Sequence, residues 1–279
     1  MKLLVCGDFH GRFPKKLLQV IKKEKIDALI SNGDYASFFY RDLWFKHCYE
    51  KDVQLWQIVG KKKFKEIILK DVKSGEFVFK KLGKLNIPVI TVLGNVDYGL
   101  WTDAYESKNK KFDIEDIDFF IRIIKRYSNI NNIDYSYTKL GDFVIIGGGT
   151  SSFPGKVKSK MYKKLRRILD KNFKKFRQEL KAQRVIFLSH NVPYNTKLDK
   201  ITSKKAHAEA KGKHFGSKLV RRIINRYQPI LAIGGHIHDG RGMQKLGKTL
   251  VVNPGAVHGG RYAIVEIDDK TKKIKVEFR

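Results

Sequence analysis

The chain is short of several things. Only two cysteines, Cys6 and Cys48, occur in 279 residues. Cys6 falls in an apolar stretch that reads as a core strand, so both are expected as buried thiols, which excludes a disulfide-built secreted scaffold. No run of about 18 apolar residues exists, so no membrane span is expected. The apolar start Met1–Cys6 is too short for a secretion signal and leads directly into polar residues, and a cytoplasmic location is expected. Only six prolines occur, with no repeat, low-complexity tract or flexible linker, so residues 1–279 are expected to form one domain. Acidic residues are scarce: 28 Asp and Glu face 58 Lys and Arg, a net charge of +30. Such an excess favours anionic partners. Nucleic acid is one, although a solvated Lys-rich surface gives the same balance. The glycine run Gly147–Gly149, followed by Thr150, lacks the Lys and spacing of a phosphate-binding P-loop.

What is present is a set of metal-ligand residues at strand ends. Pro229–Ile233 reads as a buried strand and runs into Gly234-Gly235-His236-Ile237-His238. Residues two apart in extended chain point the same way, so the two imidazoles can address one point in space. Four further apolar runs end alike. Lys2–Cys6 meets Gly7-Asp8-Phe9-His10, Asp27–Ile30 meets Ser31-Asn32-Gly33-Asp34, Ile87–Leu93 meets Gly94-Asn95-Val96-Asp97, and Arg184–Leu188 meets Ser189-His190-Asn191. In open α/β sheets ligands bind at the carboxyl ends of strands. Mixed oxygen and nitrogen donation suits Mn, Fe, Co, Ni or Zn better than Ca or Mg. Seven donors exceed one tetrahedral ion and suit two ions sharing a carboxylate.

The order Asp-x-His, Gly-Asp, Gly-Asn-x-Asp, His, Gly-His-x-His resembles the calcineurin-like metallophosphoesterases. The stretches His190–Asp199, His214-Phe215-Gly216-Ser217 and Asn253-Pro254-Gly255 resemble the archaeal predicted phosphoesterases related to the bacterial cyclic-nucleotide phosphodiesterase. The resemblance implies a four-layer αββα sandwich, two facing mixed β-sheets flanked by helices. It implies one divalent ion on Asp8, His10, Asp34 and His238, and a second on Asp34, Asn95, His190 and His236, with Asp34 bridging. Manganese is the ion expected first, with Fe, Ni, Co or Zn as alternatives. The expected activity is phosphodiester hydrolysis of a small or nucleotide-like ester by a metal-bridging hydroxide, with Asp34 and Asn95 at the reacting centre. A nuclease holding RNA or DNA on the basic surface is the alternative, and a non-catalytic scaffold on the same fold is a third reading.

Two departures stand out. Ser37 occupies a place where many members carry a second Asp, which puts the orientation of the ligands around it in question. Val96 stands where well-known members carry a His after the Asn, and it cannot move a proton. General acid assistance is worth roughly 10²–10⁴ in rate, and its loss hurts poor leaving groups most. Asp97, Tyr98, His207 and His214 are candidate substitutes, His214 foremost. Asn191, Lys197 and Tyr98 are candidate substrate contacts.

The remaining chain reads as cover for this centre. Leu17, Leu18 and Ile21 mark a helix within 14–25. Helical excursions are expected over about 35–85 and 99–132, the first opening with Tyr35, Phe38, Phe39, Tyr40, Trp44 and Phe45, a cluster that reads as core between helices, with stacking on a nucleobase as the alternative. A hairpin is expected between Ile133–Thr138 and Phe143–Ile146. Residues 156–184 hold 13 Lys or Arg in 29, with apolar residues at spacings of three and four, which predicts an amphipathic basic helix over about 157–183. It reads as a solvated cover on a sheet, or as a grip on phosphates. Ser217 is expected to cap a helix through Tyr227.

Overall fold

The computed structural model describes residues 1–49, 51, 53–97, 118–149, 156–203 and 210–279. In chain order the elements are β1 (Lys2–Cys6), α1 (Lys16–Lys23), β2 (Ala28–Ser31), α2 (Arg41–His47), α3 (Leu55–Val59), α4 (Lys61–Leu82), β3 (Val89–Thr91), α5 (Phe119–Ile124), β4 (Ile130–Asn132), β5 (Tyr137–Leu140) and β6 (Phe143–Gly148). They continue with α6 (Lys160–Lys175), α7 (Arg177–Lys181), β7 (Val185–Asn191), α8 (Lys218–Tyr227), β8 (Leu231–Gly235), β9 (Gly242–Leu246), β10 (Thr249–Asn253), β11 (Ala263–Ile267) and β12 (Ile274–Phe278).

Two mixed six-stranded sheets result, ordered β12-β11-β1-β2-β3-β4 and β5-β6-β7-β8-β10-β9. The period-2 pattern of each strand decides the layering. Leu3 and Val5 of β1 join Ile30, Ile90, Ile145, Ile186, Leu188 and Ile233 in the core between the sheets. Leu4 and Cys6 face the other way, into a cluster with Leu17, Phe64, Val72, Phe79 and Phe120 of α1, α4 and α5. Val144, Ile146, Val185 and Phe187 do the same on the second sheet, against Leu165, Leu169 and Phe173 of α6 and Ile223 and Ile224 of α8. The outcome is the expected helix–sheet–sheet–helix sandwich. Both cysteines are buried and unbridged. Among the described residues no helix is long and apolar enough to cross a membrane.

β1, β2 and β3 run parallel to one another, as do β7 and β8. Adjacent parallel strands deliver their carboxyl ends to one rim, and the five motif-bearing loops leave from those ends.

Several expected boundaries are corrected. Residues 130–132, placed at the end of a helical excursion, are the parallel edge strand β4, paired Ile130↔Val89 through Asn132↔Thr91. Its sequence Ile-Asn-Asn carries no strand pattern; the ladder to β3 defines it. Of the remainder of that excursion, residues 99–117 lie outside the described residues. The hairpin begins later than expected: Ile133–Ser136 is a turn, with Ser136 N–H donating to Ile133 O at 3.0 Å, and Tyr137 opens the paired arm. The basic helix is not continuous. It breaks at Phe176 (φ −104°, ψ 40°) between α6 and α7, where the ring turns inward against Tyr137. In α1 the buried residues are Leu17 and Val20, and Leu18 is exposed. The aromatic segment is largely core at its start: Tyr35 is fully buried, with its ring 4.1 Å from Phe79 by centroid. Phe39, in contrast, is exposed beneath the Lys70 ammonium.

Candidate metal centre

The loops at the rim are tied to one another through backbone. Asp8 N–H donates to Gly33 O at 2.8 Å and His10 N–H to Asp34 O at 3.0 Å, which zips the loops after β1 and β2 together. The loop after β3 is held by Asp97. Its carboxylate accepts from Asp34 N–H and Gly94 N–H, both at 2.8 Å, from Tyr35 N–H at 2.6 Å and from Ala36 N–H at 3.2 Å. The Asn253-Pro254-Gly255 turn holds the fifth loop: Asn253 Nδ2 donates to Ile237 O at 2.9 Å.

These ties place the side chains. Asp34 Oδ1 lies 3.5 Å from His190 Nε2 and Oδ2 lies 3.8 Å from His10 Nε2, so one carboxylate addresses two groups. On one side, His238 Nε2 is 3.5 Å from Asp8 Oδ1 and 3.3 Å from His10 Nε2. On the other, His190 Nε2 is 2.7 Å from Asn95 Oδ1 and 3.2 Å from His236 Nδ1. Two trios have one ligand atom from each member within 4.8 Å of the others, Asp8–His10–Asp34 and Asp34–His190–His236, and they share Asp34. All seven sequence-predicted ligands are thus brought together.

The geometry also fixes which atoms are free. His190 Nδ1 lies 2.7 Å from Asn32 O, and His10 Nδ1 lies 3.3 Å from Ala36 O. A carbonyl accepts only from N–H, so each Nδ1 carries a proton, and the neutral form of each ring turns an Nε2 lone pair inward. In that form the Nε2 of His190 meets another lone-pair-bearing oxygen at Asn95, 2.7 Å away. Asp8 Oδ1 is buried with no hydrogen-bond donor, at a cost that folded proteins rarely accept without a cation or water. Divalent ions fit such a set of convergent lone pairs and carboxylates.

Strain and close packing accompany the cluster. Asp8 (φ 53°), His10 (44°), Asp34 (58°) and His236 (67°) all adopt left-handed backbone, a conformation that non-glycine residues keep where the surroundings force it, often at functional sites. Gly94 has no room for a side chain: a Cβ there would run into Asp34 Oδ1 and the Asp34 amide.

Electrostatics follow from burial and mutual contact. Burial would raise Asp8, but His238, His190 and His10 hold it well below the ordinary carboxylate range. Burial would lower His190 and His238, yet the carboxylates raise both, Asp34 first for His190 and Asp8 first for His238. His236 is pushed down to about 4 by burial and then by the charge of His190. Burial and Asp34 push Asp97 up to about 7, against the pull of its amide donors.

The other site candidates fall differently. Asp97 is corrected from acid candidate to loop clamp, since both of its oxygens are committed to backbone amides. Asn191, a candidate substrate contact, is buried, and its Nδ2 donates to Phe215 O at 2.9 Å. His214 is held elsewhere, with Nδ1 2.7 Å from Asp199 Oδ1. Lys197 is exposed, its backbone amide donating to Gln244 Oε1. Val96 donates its amide to Asp34 Oδ1 at 3.2 Å while its side chain packs on the core of the first sheet. Ser37 Oγ donates to Asp71 Oδ1 at 2.6 Å, so the place of the second family Asp is tied to α4 instead. Tyr98 and His207 lie outside the described residues.

One residue was missed from the sequence. His258 forms a third trio with His10 and His238. It sits five positions past the end of β10, beyond a glycine turn, where a search for donors immediately after strands does not look. Burial lowers it, and His10 and His238 add to that.

A family model described as metallophosphoesterase, calcineurin superfamily, matches residues 1–278. An uncharacterized protein of Methanocaldococcus jannaschii is 27% identical over 281 residues, covering 96% of each chain. One crystal structure superposes with a TM-score of 0.70 at 24% identity, over 99% of this chain and 98% of that one. A dimetal phosphatase from Danio rerio superposes at 0.52 with 10% identity, over 100% and 96%. These structures share the sandwich fold.

Proposed function

Because the chain belongs to the calcineurin superfamily of metallophosphoesterases, and is thus a metal-dependent phosphoester hydrolase, we propose that it is a phosphodiesterase working with two divalent ions on a small or nucleotide-like ester. The observation that carries this reading is the split of the Asp34 carboxylate, one oxygen towards His190 and the other towards His10. Asp8, His10, Asp34 and His238 would hold the first ion, and Asp34, Asn95, His190 and His236 the second. Bound there, the ions would supply a water of lowered pKa and neutralise charge on the phosphoryl oxygens. The chain supplies the rest. Asp34 sets the separation of the two subsites, the carbonyls of Asn32 and Ala36 hold His190 and His10 in their inward orientation, and Asp97 keeps the Asp34 and Asn95 loops in register. Val96 gives no proton, so a leaving group that departs unassisted is favoured, which points to diesters over alkyl monoesters. Manganese is the ion proposed first, with Fe, Ni, Co or Zn as alternatives.

The test is hydrolysis of an aryl phosphodiester, an alkyl phosphomonoester, cyclic nucleotides, dinucleotides and short RNA by manganese-reconstituted protein. Diester turnover exceeding monoester turnover supports the reading; the reverse order overturns it.

A specific feature favours the second reading, a nuclease. Between α6 and α8 lies a hollow of about 630 Å³ lined by Tyr162, Tyr194, Lys218, Arg221, Arg222 and Arg226. Ser217 N–H, at the start of α8, donates to Val192 O two residues past His190, so Lys218 and Tyr194 of the hollow border the loop that follows His190. Cations and aromatic rings together suit single-stranded nucleic acid. On this reading Arg222→Glu weakens RNA binding and flattens its salt dependence while leaving aryl diester hydrolysis intact.

A further inference from the structure

Three imidazoles face one another beside Asp8. The ring centroids of His10 and His238 are 5.2 Å apart, those of His10 and His258 5.1 Å, and those of His238 and His258 5.2 Å. The triangle is nearly equilateral, and one nitrogen from each ring lies within 4.8 Å of the others. We propose that His258 is a further ligand of the first ion, completing a three-imidazole face with His10 and His238.

The orientation of His258 argues for this. Its Nδ1 lies 3.0 Å from the Asp8 carbonyl, and its backbone N–H donates to the same oxygen at 3.3 Å. Nδ1 is therefore the protonated nitrogen, and Nε2 keeps its lone pair. His10 is fixed by the Ala36 carbonyl and His190 by the Asn32 carbonyl in the same manner. A backbone carbonyl holding one ring nitrogen so that the other can ligate is the arrangement that metal-binding histidines use. The carbonyl that holds His258 belongs to Asp8, itself proposed as a ligand of that ion. The loop bearing His258 is also anchored to this place, since Val257 N–H donates to Gly7 O at 2.9 Å.

The consequence is an asymmetric pair of subsites. The first would offer three imidazoles and two carboxylates, the second two imidazoles, a carboxylate and an amide oxygen. Added nitrogen donation favours Fe, Co, Ni or Zn over Mn, so the first subsite would select a later transition ion than the second.

This inference rests on the two-ion reading above, and its test is read from metal binding rather than turnover. Metal-free wild type and His258→Asn are titrated with cobalt(II) in a calorimeter. Asn can still donate to the Asp8 carbonyl but has no second nitrogen. We expect one of two cobalt affinities to fall by at least ~10-fold, with the other unchanged. Wild-type affinities for both ions in His258→Asn overturn the assignment, because a residue that merely holds the Asp8 loop would be replaced by Asn. His258→Cys gives a direct readout: a thiolate-to-cobalt charge-transfer band absent from wild type supports ligation, and no new band contradicts it. Wild type that binds two ions yet hydrolyses no ester would sink the phosphodiesterase reading and leave the result at His258 standing.

Discussion

His10 Nε2 lies 3.3 Å from His238 Nε2. With His10 Nδ1 committed to Ala36 O, its Nε2 is a lone pair directed at a second imidazole. Such a pair is quiet only with a proton or a cation between the rings. Removing the ions is therefore expected to loosen the rim rather than merely empty it. Chelator treatment should lower the melting temperature, and readdition of manganese should restore it by mass action, about 2.7 kcal/mol at a hundredfold excess over Kd. A melting temperature indifferent to metal contradicts this.

Asp97 illustrates a structural role for an acidic residue near the centre. In Asp97→Asn one oxygen becomes an amide that cannot accept, so some of the four backbone donors lose their partner, each at ~1–3 kcal/mol. We expect denaturant stability to fall by that order, with a reduced rate whose pH profile keeps its shape. A displaced pH profile with unchanged stability would return Asp97 to the acid candidates.

Gly94→Ala tests the packing against Asp34. The added methyl must displace the Asp34 carboxylate or its amide. Overpacking of this kind costs ~1–3 kcal/mol, and the larger effect should be on metal: content measured by elemental analysis should drop while circular dichroism stays native. Full metal content in the variant would show that the carboxylate has more freedom than the geometry allows.

The pH dependence of the metal-free protein should carry the signature of His236. Its folded pKa, about 4, lies below the ordinary imidazole value of 6.5. The folded state thus binds fewer protons than the unfolded one between those values. The stability from neutral His236 is fully present above about pH 6.5 and is lost as pH falls towards 4, with a slope of up to ~1.4 kcal/mol per pH unit. His190 and His238, raised instead, act oppositely, so the contribution is read as a difference: His236→Asn should lose less stability than wild type between pH 6.5 and 4.5. Equal losses contradict it.

Much of this was legible in the chain because the chemistry sits where the pattern is strongest. β1, β2, β7 and β8 are apolar runs with donors immediately beyond, so both strand and ligands could be read. What was not legible depended on partners distant in sequence. β4 is a strand only because β3 pairs with it. Asp97 looked like an acid until four amides, three of them some sixty residues away, were found on it. The hydrogen bond from Asn191 to the Phe215 carbonyl, 24 residues on, was equally hidden in the chain. His258 shares no motif with the ligands beside it, and only the fold brings it 248 positions back to His10.

The central claim is that Asp34 joins two ions and that ester hydrolysis depends on both. The direct measurement is metal content and aryl phosphodiester hydrolysis of wild type and Asp34→Ala, each with and without chelator. Wild type should carry two divalent ions per chain and lose activity to chelator, while Asp34→Ala should retain at most one ion and fall by ~10³-fold or more in rate. Hydrolysis that survives chelator, or an Asp34→Ala protein that keeps both ions and its rate, would contradict the account.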